Sequence, residues 1–247
     1  MSYYNISEID KHKKSDTAIF LGSGSSINNI IKDQWDIISK HDTWAINNWI
    51  YHPTFVPTFY HLELKPISYD IFKERKKEKN DLYKDVVFIV NRKRMHIAEA
   101  IQVVGDQKYI YLYDMLKLDE QRIERTSINY QFSNNKNILT CVCGVSMTML
   151  FELWYRIGYK KIVLLGCDMK DSLYFWSDHP EYGKTHCHHN KDHEGKKQGS
   201  PHNTSHLKSF IIAFRDQMLK PKGSNIYVGY TNTMLYPEIE YHPIEEL

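Results

Sequence analysis

18-AIFLGSGSSINNI-30 is an apolar run that breaks into glycine and serine before isoleucines resume. TAIFL, residues 17–21, predicts a buried strand. GSGSS predicts a tight turn with little side-chain bulk. INNIIKDQWDIIS, with spaced isoleucines and Trp35, predicts a helix. Amides at such a strand-to-helix turn can meet a phosphate. The same pattern also serves as a bare connection with no ligand. The turn has no following GK[ST], and Ile27 occupies the last glycine position of GxGxxG, so it matches neither standard nucleotide motif.

Working outward, strands and helices alternate. DTWAINN from Asp42, Thr58 to Leu62, VVFIV at 86–90 and KYIYLYD at 108–114 read as strands. Residues 72–84 are highly charged and predict an exposed helix and turn. GVSMTMLFELWYRIGY from Gly144 is long and apolar enough for a mostly buried helix, followed by a strand over 160–168. SHLKSFIIAFRDQML predicts an amphipathic helix from Ser205, and NIYVGY, 225–230, a last strand. This alternation implies an α/β fold: a Rossmann-like, mostly parallel sheet with helices on both faces. The whole chain, 1–247, reads as one domain, with 171–204 as a polar lid or active-site loop within it. Ligands in such sheets gather at the carboxyl ends of the strands.

The 247 residues carry a formal net charge of +2, too slight a bias to imply nucleic acid. No segment reaches the roughly 20 apolar residues of a transmembrane helix. The N-terminal stretch lacks the apolar core of a signal peptide, and the four cysteines form no secreted disulfide framework. The expectation is a cytoplasmic protein. The 18 tyrosines and 5 tryptophans fit either a core or a site that stacks polar ligands.

Polar residues at strand ends are the first candidates: Asn47 and Asn48 after the second strand, His61 near the end of the third. Asparagine amides donate and accept, so they can read a ribose, a base edge or a sugar, or simply cap a turn. Seven histidines fall between His179 and His206. Cys187, His189 and His193 could converge on zinc, although paired CxxC and HExxH spacings are both missing. His202, just before a helix entrance, is suited to accept a hydroxyl proton, since a helix N-terminus disfavours protonated imidazole.

Several stretches together resemble the bacterial sialyltransferase family found in Campylobacter and Haemophilus, a glycosyltransferase family 42-like group, and related surface or flagellar glycosylation proteins. GSGSSI resembles that family's GNGPSL-like opening, and AINNW its segment after the second strand. CGVSMTMLFELWYRIGYKKIVLLGCDM resembles SGxxMxxxAxxxGYKxIYLxGxDF. PHNTSHLK resembles the segment that supplies its base, and IYVGYTNTML its late strand and PNSxL-like turn. Order and spacing agree over most of the chain.

The resemblance implies a GT-A-like single-domain fold and an inverting, metal-independent transfer of sialic acid or a related nonulosonic acid. The donor would be a CMP-activated sugar, with no other cofactor, and the acceptor a glycan hydroxyl. It implies His202 as base, with Tyr174 and Tyr182 stabilising the leaving phosphate. It places Gly22, Ser23, Gly24, Asn47, His61, Cys143, Gly144, Asp168 and Asn232 around the donor. It also implies self-association and leaves room for a peripheral place at the inner face of the membrane. Ser23, Ser25, His61 and Cys143 replace asparagine, proline, asparagine and serine of the family pattern, which leaves nucleotide and sugar open. The competing readings are a glycosyltransferase with another nucleotide-sugar donor, a zinc-dependent hydrolase built on the histidine-rich loop, and a non-catalytic nucleotide-binding regulator.

Overall fold

The computed structural model describes residues 3–63, 69–92, 95, 97–105, 107–117, 133–142, 145–170, 173–179 and 204–247. Its strands are β1 (Tyr3–Asn5), β2 (Thr17–Leu21), β3 (Asp42–Ile46), β4 (Phe59–Leu62), β5 (Val87–Asn91), β6 (Tyr109–Lys117), β7 (Ile138–Cys141), β8 (Lys161–Leu165) and β9 (Asn225–Val228). The main helices are α1 (Lys32–Ile38), α2 (Tyr69–Glu78), α3 (Asn80–Tyr83), α4 (Ile97–Val104), α5 (Ser146–Ile157) and α6 (Thr204–Phe214).

All described strands pair in parallel, in the order β1-β6-β5-β4-β3-β2-β8-β9, with β7 beside the second half of β6. The sheet is buried on both faces, which explains why its strands read as apolar runs rather than as alternating patterns. Side-chain direction still alternates. Ala18 and Phe20 of β2 join the cluster holding Trp154, Phe210 and Phe214, from α5 and α6. Ile19 and Leu21 join the opposite cluster with Phe72, Ala100 and Val104, from α2 and α4. The expected α/β sheet with helices on both faces is therefore the one observed.

Two strands escaped the sequence reading. β1 is three residues long, and β7 adds Ile138–Cys141 beside β6. Both are short edge segments, and their pairing is decided by the long β6 rather than by their own pattern. Residues 25–29 form a 3-10 turn instead of opening one continuous helix, so α1 begins only at Lys32.

The aromatic excess is largely core. Trp44, Trp49, Trp154, Tyr60, Tyr83, Tyr111, Tyr113 and Tyr159 are fully buried. Trp44 stacks on Phe59 of the neighbouring strand with centroids 4.0 Å apart, and Trp154 meets it edge-on at 6.1 Å. Trp44→Ala is expected to destabilise the fold by about 3–5 kcal/mol, the range for deleting a large buried aromatic. A urea unfolding curve against wild type measures this.

Candidate functional site at the β2–β8 strand ends

The chain moves outward from β2 through β3, β4, β5 and β6, then returns to place β8 on the other side of β2. The strand order thus reverses between β2 and β8, and a crevice opens at their carboxyl ends. A cavity of about 200 Å³ lies there, with Gly22–Gly24, Ile46, Val145, Met147, Asp168, Met169, Tyr174 and Leu207 among its lining.

The glycine-serine turn is fastened to the end of β8. Gly22 N donates to Leu165 O and Gly24 N to Gly166 O, each at 2.8 Å. A side chain would not fit: a Cβ on Gly24 would lie 2.8 Å from Gly166 O and drive into the Asp168 carboxylate, and one on Gly166, at φ 65°, would lie 2.6 Å from Gly22 O. Asp168 is buried and accepts from Ser26 N at 2.9 Å, from the Ser26 hydroxyl and, at the long limit, from the Ser25 hydroxyl at 3.5 Å. This carboxylate holds the turn rather than facing the cavity as a free acid. The amides of Gly22, Gly24 and Ser26 are engaged within the protein, leaving Ser23 and Ser25 as the turn amides these bonds do not use.

Tyr174 crosses the turn. It bridges Gly24, Phe175 N donates to Ser23 O at 3.0 Å, and the Tyr174 ring stacks on Trp176 at 4.7 Å. On the other flank, Thr233 Oγ1 donates to Cys167 O at 2.6 Å and Met234 N to Asp168 O at 3.1 Å, which ties in the loop after β9. Met169 takes a left-handed φ of 58°, unusual for a side chain without a polar handle. The exposed Lys170 follows and donates to Asn232 Oδ1 at 3.0 Å. Burial pushes the Cys167 thiol far up, so this cavity-lining cysteine stays protonated at neutral pH.

The structure therefore brings Gly22, Ser23, Gly24, Asp168 and Tyr174 to one cavity, with Asn232 linked to it through Lys170. It does not bring His61 there. That ring is fully buried, with Nε2 2.6 Å from Tyr113 Oη. Asn47, at φ 45°, turns its side-chain oxygen to Glu63 N at 2.9 Å. Cys143, Gly144, Tyr182 and His202 lie outside the described residues, as do Cys187, His189, His193 and most of the 171–204 lid. Among the described residues no group of three or more His, Cys, Asp or Glu side chains could hold a metal, and no helix is long and apolar enough to cross a membrane. Sequence reasoning missed Lys170 and Glu63. Lys170, two residues beyond Asp168, was within reach of a strand-end search; the importance of Glu63 depends on contacts from four other elements.

With this geometry in place, solved structures offer a comparison. The chain is similar to the monofunctional α-2,3-sialyltransferase Cst-I from Campylobacter jejuni, with a TM-score of 0.53, 13% identity, and coverage of 95% of this chain and 84% of that one. It is also similar to two variants of the sialyltransferase Cst-II in complex with CMP. These have TM-scores of 0.54 and 0.55, 15% and 13% identity, and coverage of 94% of this chain and 88% of theirs. The likeness is one of fold. No protein-family model matches the sequence, and no curated protein matches it.

Two predictions follow from the packing around the site. Gly24→Ala is expected to cost about 1–3 kcal/mol by overpacking, read as a lower urea midpoint. The second concerns protons. Burial holds His61 below its ordinary pKa, partly opposed by Glu63, and pushes His52 down to about 4 with help from Lys79. Both are neutral when folded, so the unfolded chain binds more protons below about pH 6.5. Their stabilisation is complete above that pH and is lost as pH falls through their lowered folded values, about 4 for His52. His52→Phe keeps an aromatic ring against Trp49 and removes one of these protons. It should therefore lose less stability than wild type between pH 7 and pH 4.5.

Proposed function

We propose that the protein is a glycosyltransferase that moves a sugar, sialic acid or a related nonulosonic acid, from a CMP-activated donor to a glycan hydroxyl, with inversion and without a metal. The observation that carries this reading is the strand-end cavity at the β2–β8 reversal, walled by the glycine turn and Tyr174. The overall backbone likeness to CMP-bound sialyltransferases supports it. In this reading the cytidine phosphate lies against Ser23 and Tyr174. Lys170, held beside Asn232, supplies a positive charge at the rim where the leaving phosphate gathers negative charge.

His202 is the base of the proposed reaction. It takes the proton of the acceptor hydroxyl as that oxygen attacks the anomeric carbon. The bond from that carbon to the phosphate oxygen breaks, and CMP departs with the electron pair. A single displacement inverts the anomeric centre. The reading extends to a protein at work on the cytoplasmic side, meeting a glycan acceptor.

A calorimetric titration with CMP, beside UDP and GDP and with and without EDTA, tests the donor. Preferential CMP binding that EDTA leaves unchanged is the expected result; clear preference for UDP or GDP would move the protein to another nucleotide sugar. His202→Ala should keep CMP affinity and lose transfer by about 100-fold or more, the usual scale for a general base. Retained transfer in that variant would remove His202 from the role.

A further inference from the structure

A second polar cluster sits at the carboxyl ends of β4 and β5 and beside the middle of β6, away from the glycine turn. Its centre is Glu63, the residue after β4. One carboxylate oxygen accepts from Asn91 Nδ2 at 2.7 Å and from the Tyr113 hydroxyl at 3.3 Å. The other accepts from the hydroxyl of Ser146, the first residue of α5. The backbone amide of Glu63 donates to Asn47 Oδ1 at 2.9 Å. One residue therefore links the ends of β3, β4 and β5 and the middle of β6 to the start of a helix.

Proton bookkeeping gives the cluster a direction. The Tyr113 hydroxyl has one proton and lies within reach of Glu63, His61 and a weaker acceptor, the Met149 sulfur at 3.4 Å. The other ring nitrogen of His61, Nδ1, is buried with no partner among the described residues. If Tyr113 donated to His61, Nδ1 would carry a buried N–H with nothing to receive it. A buried acceptor left unpaired is the more tolerable arrangement. We therefore assign the His61 proton to Nε2, donating to the Tyr113 oxygen, so that the Tyr113 proton is turned to Glu63. His61 thus sets Tyr113, and Tyr113 helps set Glu63.

The cluster reaches the cavity through its neighbours. Ser146 lies between Val145 and Met147, and Asn47 follows Ile46; Val145, Met147 and Ile46 form part of the cavity's wall. We propose that Glu63 is the positioning residue for that wall. By holding Ser146 and Asn47 together, it sets how far the first turn of α5 stands from Gly22–Gly24 and so sets the width of the cavity. A negative carboxylate also suits a helix N-terminus. Glutamine has the same shape but no charge: its N–H₂ meets Ser146 only if that hydroxyl turns to accept, so a charge-assisted bond becomes a weaker neutral one. Use of this wall to hold a CMP-activated donor rests on the function proposed above; the clamp itself does not.

The test uses the full-length protein with Glu63→Gln, Ser146→Ala and the double variant. Hydrogen exchange of the segment 145–153 reads the clamp without any ligand. CMP affinity and transfer rate read its use. Glu63→Gln is expected to exchange faster across 145–153 while its urea midpoint stays close to wild type, and to weaken CMP binding about tenfold. Ser146→Ala should act in the same direction, and the double variant should be no weaker than Glu63→Gln alone, because the two changes cut one link. Unchanged exchange in Glu63→Gln overturns the proposal. So does a double variant in which the two losses multiply, and so does faster exchange with wild-type CMP affinity, which would make the clamp purely structural. Loosened exchange in a protein whose wild type binds no CMP supports the clamp and rejects the CMP-donor reading instead.

Discussion

The Asp168 carboxylate and the two loops it joins are the constraint around which the rest of the cavity is arranged. Asp168 follows β8, and its oxygens are taken by the Ser26 amide and hydroxyl beyond β2. That bonding draws together two loops at the one place in the sheet where the strand order reverses. Gly22, Gly24 and Gly166 allow the approach, because a Cβ at any of them would meet backbone or carboxylate. Without the close approach the cavity would have no fixed wall, and Tyr174 would have no turn to bridge.

This arrangement changes the meaning of the glycines. A glycine-serine turn after a first strand suggests amides turned outward to a phosphate. Here most of the turn's amides bind its own neighbours, and the glycines serve loop-to-loop contact. The groups that the proposed donor site would use stand on this frame: the Ser23 backbone, Tyr174, and Lys170, which follows the left-handed Met169 and donates to Asn232.

Across the cavity the organising group is again a carboxylate, Glu63. The two acids differ in what they bind. Asp168 joins loop to loop over a short distance, whereas Glu63 gathers side chains from β5, β6 and α5. The buried aromatic layers behind them make these attachments rigid. Trp154, near the end of α5, and Tyr159 beyond it meet Trp44 edge-on, and Trp44 stacks on Phe59, so aromatic packing anchors the later turns of the helix to the sheet while Glu63 holds its first residue.

The alternation of apolar runs with helical spans was enough to reveal a parallel α/β sheet, because strands buried on both faces must be apolar throughout. It was also enough to mark the β2 turn and Asp168 as worth attention, since glycines and acids at strand ends stand out against such runs; Tyr174 was marked only by the family resemblance. It could not reveal the edge strands β1 and β7, whose few residues pair only because β6 is long. Nor could it separate His61, a polar strand-end residue in one dimension, from a binding residue. In the folded sheet, alternation turns His61 inward beside Phe59 and against Tyr113. Glu63 carries no local signal at all, because its partners come from positions 47, 91, 113 and 146. The sequence by itself determined which residues must be buried and therefore the class of fold. Only the tertiary structure decided which polar groups meet, because hydrogen bonds between distant strands depend on strand order and register, and no local pattern encodes either.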